Sequence, residues 1–280
     1  MEERTTVLLV HGAVGNDGLR HREAELCALT GQEEALLAAC PGRLTPADCA
    51  TALLAAATRR IGGIAPVSAE MVAGLTVGDR ERMLLSLTQL TLGETIELVL
   101  PCPAACGAML EIELRPGALL DAPADPEEPE HVIWTGTAEG RWRVRFRLPN
   151  GHDQQAAARA ADPALALIAG CILECRDPAG MAITPAEAAS RFAAPLGNAF
   201  EQLDPFAETV AAITCTSCGA EGAALIDGFA ILHAGLGRGE GLFADTYRMA
   251  RAYHWSEREI HALPIARRKR YLALANQIAA

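Results

Sequence analysis

The residues of this chain best suited to chemistry are two cysteine pairs, one in the middle of the chain and one in its last quarter. They are Cys102 and Cys106 in Pro101-Cys102-Pro103-Ala104-Ala105-Cys106-Gly107, and Cys215 and Cys218 in Thr214-Cys215-Thr216-Ser217-Cys218-Gly219. Thiolates are soft ligands, and two from each pair complete the tetrahedral sulfur set of a structural zinc site. The glycine after each second cysteine lets the turn take positive φ, so that backbone N–H groups point at a thiolate. Cys215-x-x-Cys218-Gly219 has the usual knuckle spacing, whereas Cys102-x-x-x-Cys106 carries one residue more, still within the zinc range. The alternative reading is ordinary buried thiols, since cysteine is among the most buried residue types. Four cysteine ligands leave no open position for water, so the expected metal is structural and not catalytic.

Other chemistries lack their residues. The chain has nine cysteines, an odd number, and no signal peptide is read at its start; reduced thiols in a cytoplasmic protein are expected. Cys171 and Cys175 fall at i and i+4 of an apolar stretch, 164–175, that reads as a helix with both thiols packed on one face. Cys27, Cys40 and Cys49 stand singly, as do the histidines, with His254 and His261 as conceivable substitute ligands. Thr5 to Gly12 looks like the strand and His-Gly turn of an α/β-hydrolase, but no Gly-x-Ser-x-Gly follows. Gly235 to Gly241 lacks the Gly-Lys-Ser/Thr ending of a phosphate loop and reads as a hinge between helices. The expectation is a non-enzyme, with no catalytic residue and no small-molecule substrate.

Charge points the same way. The chain carries −11, yet from Arg238 onward eight basic residues outnumber four acidic ones. An acidic body repels phosphates, so nucleic-acid binding is disfavoured. The cluster Arg267-Arg268-Lys269-Arg270 suits a solvated helix face, or contact with an acidic protein partner. Half the residues are apolar but only 4% are aromatic, so Ala, Leu, Ile and Val must build the interior. No run of about eighteen apolar residues occurs, which argues against a membrane span.

The elements that must position the cysteines are legible. Segments 94–100 and 109–114 alternate polar and apolar residues on either side of the first knuckle, as the strands of a zinc-ribbon hairpin do. Thr45, Thr76, Thr184 and Ser256 mark helix starts; the helix from Thr76 ends near Leu92-Gly93, and Pro264 interrupts the one from Ser256. The fold class is therefore α+β: helix-rich, with short antiparallel hairpins forming a split zinc-ribbon. Four parts are expected: an N-terminal unit with the first knuckle (1–115), an acidic, Pro-rich linker (116–131), a second unit with the second knuckle (132–237) and a basic helical segment (238–280). A short match between Ala28–Cys40 and Leu148–Gln154 followed by Ala164–Cys171 suggests an internal duplication in which each copy leads to one knuckle.

Several of these motifs together resemble a family of phage-tail proteins, the T4-type baseplate hub assembly proteins and their relatives in contractile injection systems. The resemblance runs over residues 19–275. It is carried by Leu75-Thr76-Val77-Gly78-Asp79-Arg80-Glu81, Leu92-Gly93-Glu94, the two knuckles, Arg145-Phe146-Arg147-Leu148-Pro149 with Gly151 and Asp153, and the tail from Ala252 to Leu272. The widened first knuckle departs from the family pattern. The resemblance implies a non-enzymatic assembly chaperone or structural component of a tail-like baseplate, whose partners are hub or baseplate proteins, either in the cytoplasm or within the assembled particle. Tyr253, Trp255, Arg267, Arg268 and Arg270 are the expected partner-binding residues, these being the types enriched at interface hot spots; Tyr253 and Trp255 equally suit the seal between two helices. The runner-up is a zinc-ribbon adaptor in transcription or RNA metabolism, binding nucleic acid through the basic C-terminal helix.

Overall fold

Val7 and Leu9 on one strand, and Ala24 and Leu26 on the next, alternate with more exposed residues and so turn one sheet face into the core. The computed structural model describes residues 3–15, 17–40, 44–120, 129–137, 140–236 and 240–279. In it β1 (Arg4–Val14), β2 (Arg20–Cys27) and β3 (Thr58–Ile61) form an antiparallel sheet in that order. The first unit continues with α1 (Gly31–Ala39), α2 (Pro46–Ala57), α3 (Ala69–Gly74) and α4 (Val77–Leu92). It ends in the hairpin β4 (Ile96–Pro101) and β5 (Met109–Leu114), followed by the short α5 (Pro116–Leu119). Leu53, Leu54, Met83 and Leu87 join the inward sheet residues in one aliphatic core.

The second unit repeats this order. Strands β6 (His131–Thr137), β7 (Gly140–Phe146), β8 (Ile172–Arg176) and β9 (Ala182–Ile183) form an antiparallel sheet, ordered as numbered. Two helices, α6 (Gly151–Ala157) and α7 (Pro163–Cys171), lie between its second and third strands, as α1 and α2 do in the first unit. A long helix, α8 (Pro185–Leu203), precedes the hairpin β10 (Thr209–Thr214) and β11 (Glu221–Ile226), and α9 (Gly228–Leu236) follows. Its core is more aromatic, with Trp142, Phe146, Phe192 and Phe200 among the buried residues. Helix α8 bends at Phe192, where Pro195 removes a helical N–H donor. The fold is α+β; the strands on either side of the first knuckle and the helix starts at Thr45, Thr76, Thr184 and Ser256 fall where the sequence places them.

The duplication holds in outline, with its cysteine correspondence corrected. Thr30 and Asn150 are the N-caps of the equivalent helices α1 and α6. Cys40, however, follows α1, whereas Cys171 ends α7, the counterpart of α2. The apolar helix expected over 164–175 also stops at Cys171; Cys175 lies on β8, and both thiols are buried. Ile172 turns to extended backbone at φ −78° and ψ 120°, and the unbroken apolar run from Ala164 to Leu173 does not announce that change in the sequence.

The chain closes with α10 (Glu240–Tyr253), α11 (Glu257–His261) and α12 (Ile265–Ala279). Here a second internal similarity emerges. Ser68, Val72, Leu75, Val77 and Arg80 have the spacing of Ser256, Ile260, Leu263, Ile265 and Arg268, and the two helix pairs dock alike. The Val77 N–H donates to Pro149 O at 3.0 Å and the Ile265 N–H to Leu29 O at 2.9 Å. Thr76 bridges Asn150, and Pro264 bridges Thr30. Arg80 lies against Gly151 and Arg268 against Gly31, each glycine opening a helix, with no room for a Cβ in either place. The first unit thus lends α3–α4 to the second and receives α11–α12 in return. Of the expected 116–131 linker, Pro116–Leu119 is helical and 121–128 lies outside the described residues.

Candidate metal centre

Each knuckle is the turn of a hairpin, so strand pairing places its thiols. Pro101 pairs with Met109 across β4–β5, and Thr214 with Glu221 across β10–β11. The first cysteine of each turn is then anchored identically: Cys102 N–H donates to Ala108 O at 2.9 Å, and Cys215 N–H to Ala220 O at 2.8 Å. The second knuckle closes with one left-handed residue, Gly219 at φ 73°. The first absorbs its extra residue with two, Ala105 at 51° and Gly107 at 89°. Gly222 on β11 has no side chain, so Pro103 of the other turn packs directly against it. The hairpins thereby meet tip to tip.

All four expected cysteines converge. Cys102 Sγ lies 3.6 Å from Cys218 Sγ and Cys106 Sγ 3.8 Å from Cys215 Sγ, with every sulfur within 4.8 Å of the others. A tetrahedral ion bound to four thiolates at about 2.3 Å separates the sulfurs by about 3.8 Å, so the set fits one metal ion. The four are free thiols. Cys102 and Cys215 are buried on Leu110, with Ile213 and Ala220 beside them, while Cys106 and Cys218 face outward.

The electrostatics suit a cation. The backbone N–H of Cys106, then that of Ala104, holds the Cys102 thiol down at about 6. At Cys218 the Ala220 N–H also favours the thiolate, but hydrogen bonding with the other three thiols outweighs it and pushes the group up to about 12. Cys106 is raised as well: the Ala108 N–H favours its thiolate, and the contacts with Cys102 and Cys215 overcome this. One thiolate therefore forms readily and discourages the next; only a bound cation lets all four ionise together.

The expected contact residues are divided by the fold. Tyr253 and Trp255 stack at 5.1 Å, Tyr271 meets Trp255 edge-on at 5.0 Å, and Tyr253 Oη donates to Tyr271 O at 2.9 Å. Both are half-buried over Met249, Ile260 and Leu272, at the junction of α10, α11 and α12. Arg267 and Arg270 are exposed. Arg268 is the correction: only 1% exposed, it is ion-paired with the equally buried Glu34 of α1 and offers nothing to a surface partner. Its docking on α1 had no signal in the basic run, where four cations read as one solvated face.

Two features were not anticipated. Asp79, fully buried at the start of α4, accepts the backbone N–H groups of Val10, His11 and Gly12 at 2.5, 3.0 and 2.7 Å. The sequence shows Asp79 only as a helix-start acid. The second is an arginine-rich face on the second sheet, whose Arg141, Arg143 and Arg145 alternate with the core residues Trp142, Val144 and Phe146. That alternation is a readable strand signal. No helix among the described residues is long and apolar enough to cross a membrane. No model of a known family, no curated protein and no solved structure matches the chain.

Proposed function

We propose that this chain is a non-enzymatic assembly chaperone or structural component of a phage-tail-like baseplate hub, clipped together by one structural zinc ion. The four-cysteine cluster, built from hairpins of two different units, supports the structural-metal part of the reading, since four thiolates would leave a tetrahedral ion no position for water. Zinc is the natural occupant of a tetrahedral, all-thiolate site in which no redox role is evident. The motifs that resemble the tail-protein family support a scaffold in a second way, because they occupy junctions. Asp79 ties α4 to β1, Arg80 sits under α6, and Arg147 pairs with Asp153 through contacts of 2.6 and 2.9 Å. The tail from Ala252 to Leu272 docks the last helices on the first unit. Residues so employed hold a shape for partners to recognise, and none is arranged as a nucleophile with its base.

A tagged copy purified from its native host, with co-purifying proteins identified by mass spectrometry and metals counted, tests both parts. Hub, tube or baseplate subunits together with one zinc per chain are expected. Recovery of RNA polymerase subunits or nucleic acid without tail proteins would replace this reading with the zinc-ribbon adaptor.

A further inference from the structure

The two units treat the outer edge of their sheets differently. In the first, α4 closes the middle of β1: Asp79 takes three successive backbone N–H groups, and the Arg82 guanidinium donates to Leu8 O at 3.0 Å. In the second, β6 occupies the same edge position, and no described strand pairs with its outer side. Helix α8 carries Glu187 where α4 carries Asp79, but that carboxylate turns back to cap its own helix at Thr184. β6 is seven residues long and contains neither proline nor lysine, the usual guards of an open edge.

What flanks the edge defines what would fit. On the inner side a groove of about 760 Å³ runs between β6 and α8, where Ile133, Phe146 and Leu203 share the lining with the polar Arg20, Glu130 and Gln202. On the outer side Trp134 (57% exposed) and Val132 stand beside Arg141, Arg143 and Arg145, and Arg176 follows on β8. Glu174 pairs with Arg143 and Arg176, and Glu130 with Arg145, leaving four arginines against two glutamates on a chain of net charge −11. A strand added to β6 would point alternate side chains into this groove, against Ile133 and Leu203, and over the cationic face.

We infer that β6 is a docking edge for an extended acidic segment of a partner protein, apolar at every second residue, which joins the sheet as a further strand. A second copy of this chain would set one arginine face beside another. Single-stranded nucleic acid would find Trp134 and the arginines but would leave the inner groove and the backbone edge unused. This inference stands whether or not the tail reading does.

The test uses the full chain and a fluorescein-labelled peptide, Glu-Val-Glu-Val-Glu-Val-Glu, read by anisotropy and by hydrogen exchange of the β6 amides. Binding with protection of 131–137 is expected. It should weaken at least tenfold in Arg143→Glu/Arg145→Glu, whose altered side chains are on the solvent face, and vanish when the peptide is N-methylated at every amide. Circular dichroism confirms the variant's fold. Absence of binding, equal binding of a Lys-for-Glu peptide, or survival of binding after N-methylation would overturn the inference. So would oligo(dT) binding that quenches Trp134 in place of the peptide, or protection of β6 by concentration-dependent dimerisation alone.

Discussion

Buried carboxyls at the start of α4 make stability respond to pH in a way the surface charges do not. Asp204 Oδ2 accepts the Gly78 N–H at 2.9 Å, and Glu81 accepts the Gly228 N–H at 2.6 Å, so each ties the second half of the chain to α4. Burial, with the nearby charge of Asp79 added, pushes Asp204 up to about 6 although the Gly78 N–H and Arg82 act against it; burial pushes Glu81 up to about 7. The folded protein therefore keeps protons that the unfolded chain releases near pH 4, and stability falls as pH rises through the folded values. The contribution of Asp204 is full below about pH 4 and gone above about pH 6, a loss on the order of 2–3 kcal/mol. Asp204→Asn keeps an acceptor for Gly78 and should remove this part of the slope, leaving that of Glu81. Urea titrations at pH 4.5, 6 and 7.5 check this, run with chelator so that metal release does not contribute. An unchanged slope would show that Asp204 is ionised in the fold.

At the level of elements, turns and docking glycines carry the specificity. Ala105 sits at φ 51° because the first knuckle has one residue too many, and a Cβ in the left-handed region costs about 1–2 kcal/mol. Ala105→Gly is expected to stabilise the metal-loaded protein by about 1 kcal/mol, seen as a higher melting temperature, whereas glycine at an ordinary turn position would lower it. Gly31 gives a prediction of opposite sign to helix propensity. It opens α1, where alanine is intrinsically better by about 1 kcal/mol. Yet an added Cβ would lie 2.9 Å from His261 Cα and 3.0 Å from Arg268 Nη1. Gly31→Ala should loosen α11–α12, raising protease cleavage within 257–279 while the first sheet stays protected. These elements also show what the sequence discloses. The caps at Thr45, Thr76, Thr184 and Ser256 and the strands around Cys102–Cys106 depend on neighbours a few residues away, and all were legible. Glu34 for Arg268, Gly151 for Arg80 and β1 for Asp79 are partners from distant segments, and no local pattern encodes them. The four cysteines were the exception among long-range contacts, because a tetrahedral metal demands four soft ligands and two knuckles supply two each.

For the whole molecule, the question is how much of the architecture depends on the metal. The ion would join residues 109 to 116 positions apart, and closing a loop of about 100 residues is worth on the order of 4–5 kcal/mol by chain entropy. That is a large share of the 5–15 kcal/mol typical of a folded protein. The two sheets nevertheless possess separate cores, α9 places Leu232 and Leu236 in the first of them, and α4 links the units through Asp204, Glu81 and the pairing of Thr76 with Asn150. The hairpins lean on a much smaller cluster of Leu85, Leu114 and Ile226, with only Leu110 buried beside the thiols. Without a cation, the mutual repulsion of forming thiolates leaves the tips little to hold them. Chelation should therefore lower the melting temperature and strip amide protection from β4–β5 and β10–β11, while β2, β7 and α4 retain theirs. Hydrogen exchange with and without chelator decides the matter. Loss of protection throughout would mean that the metal organises the entire fold, as in the smallest zinc domains. No change in either hairpin would mean that the four thiols hold no metal at all and merely pack.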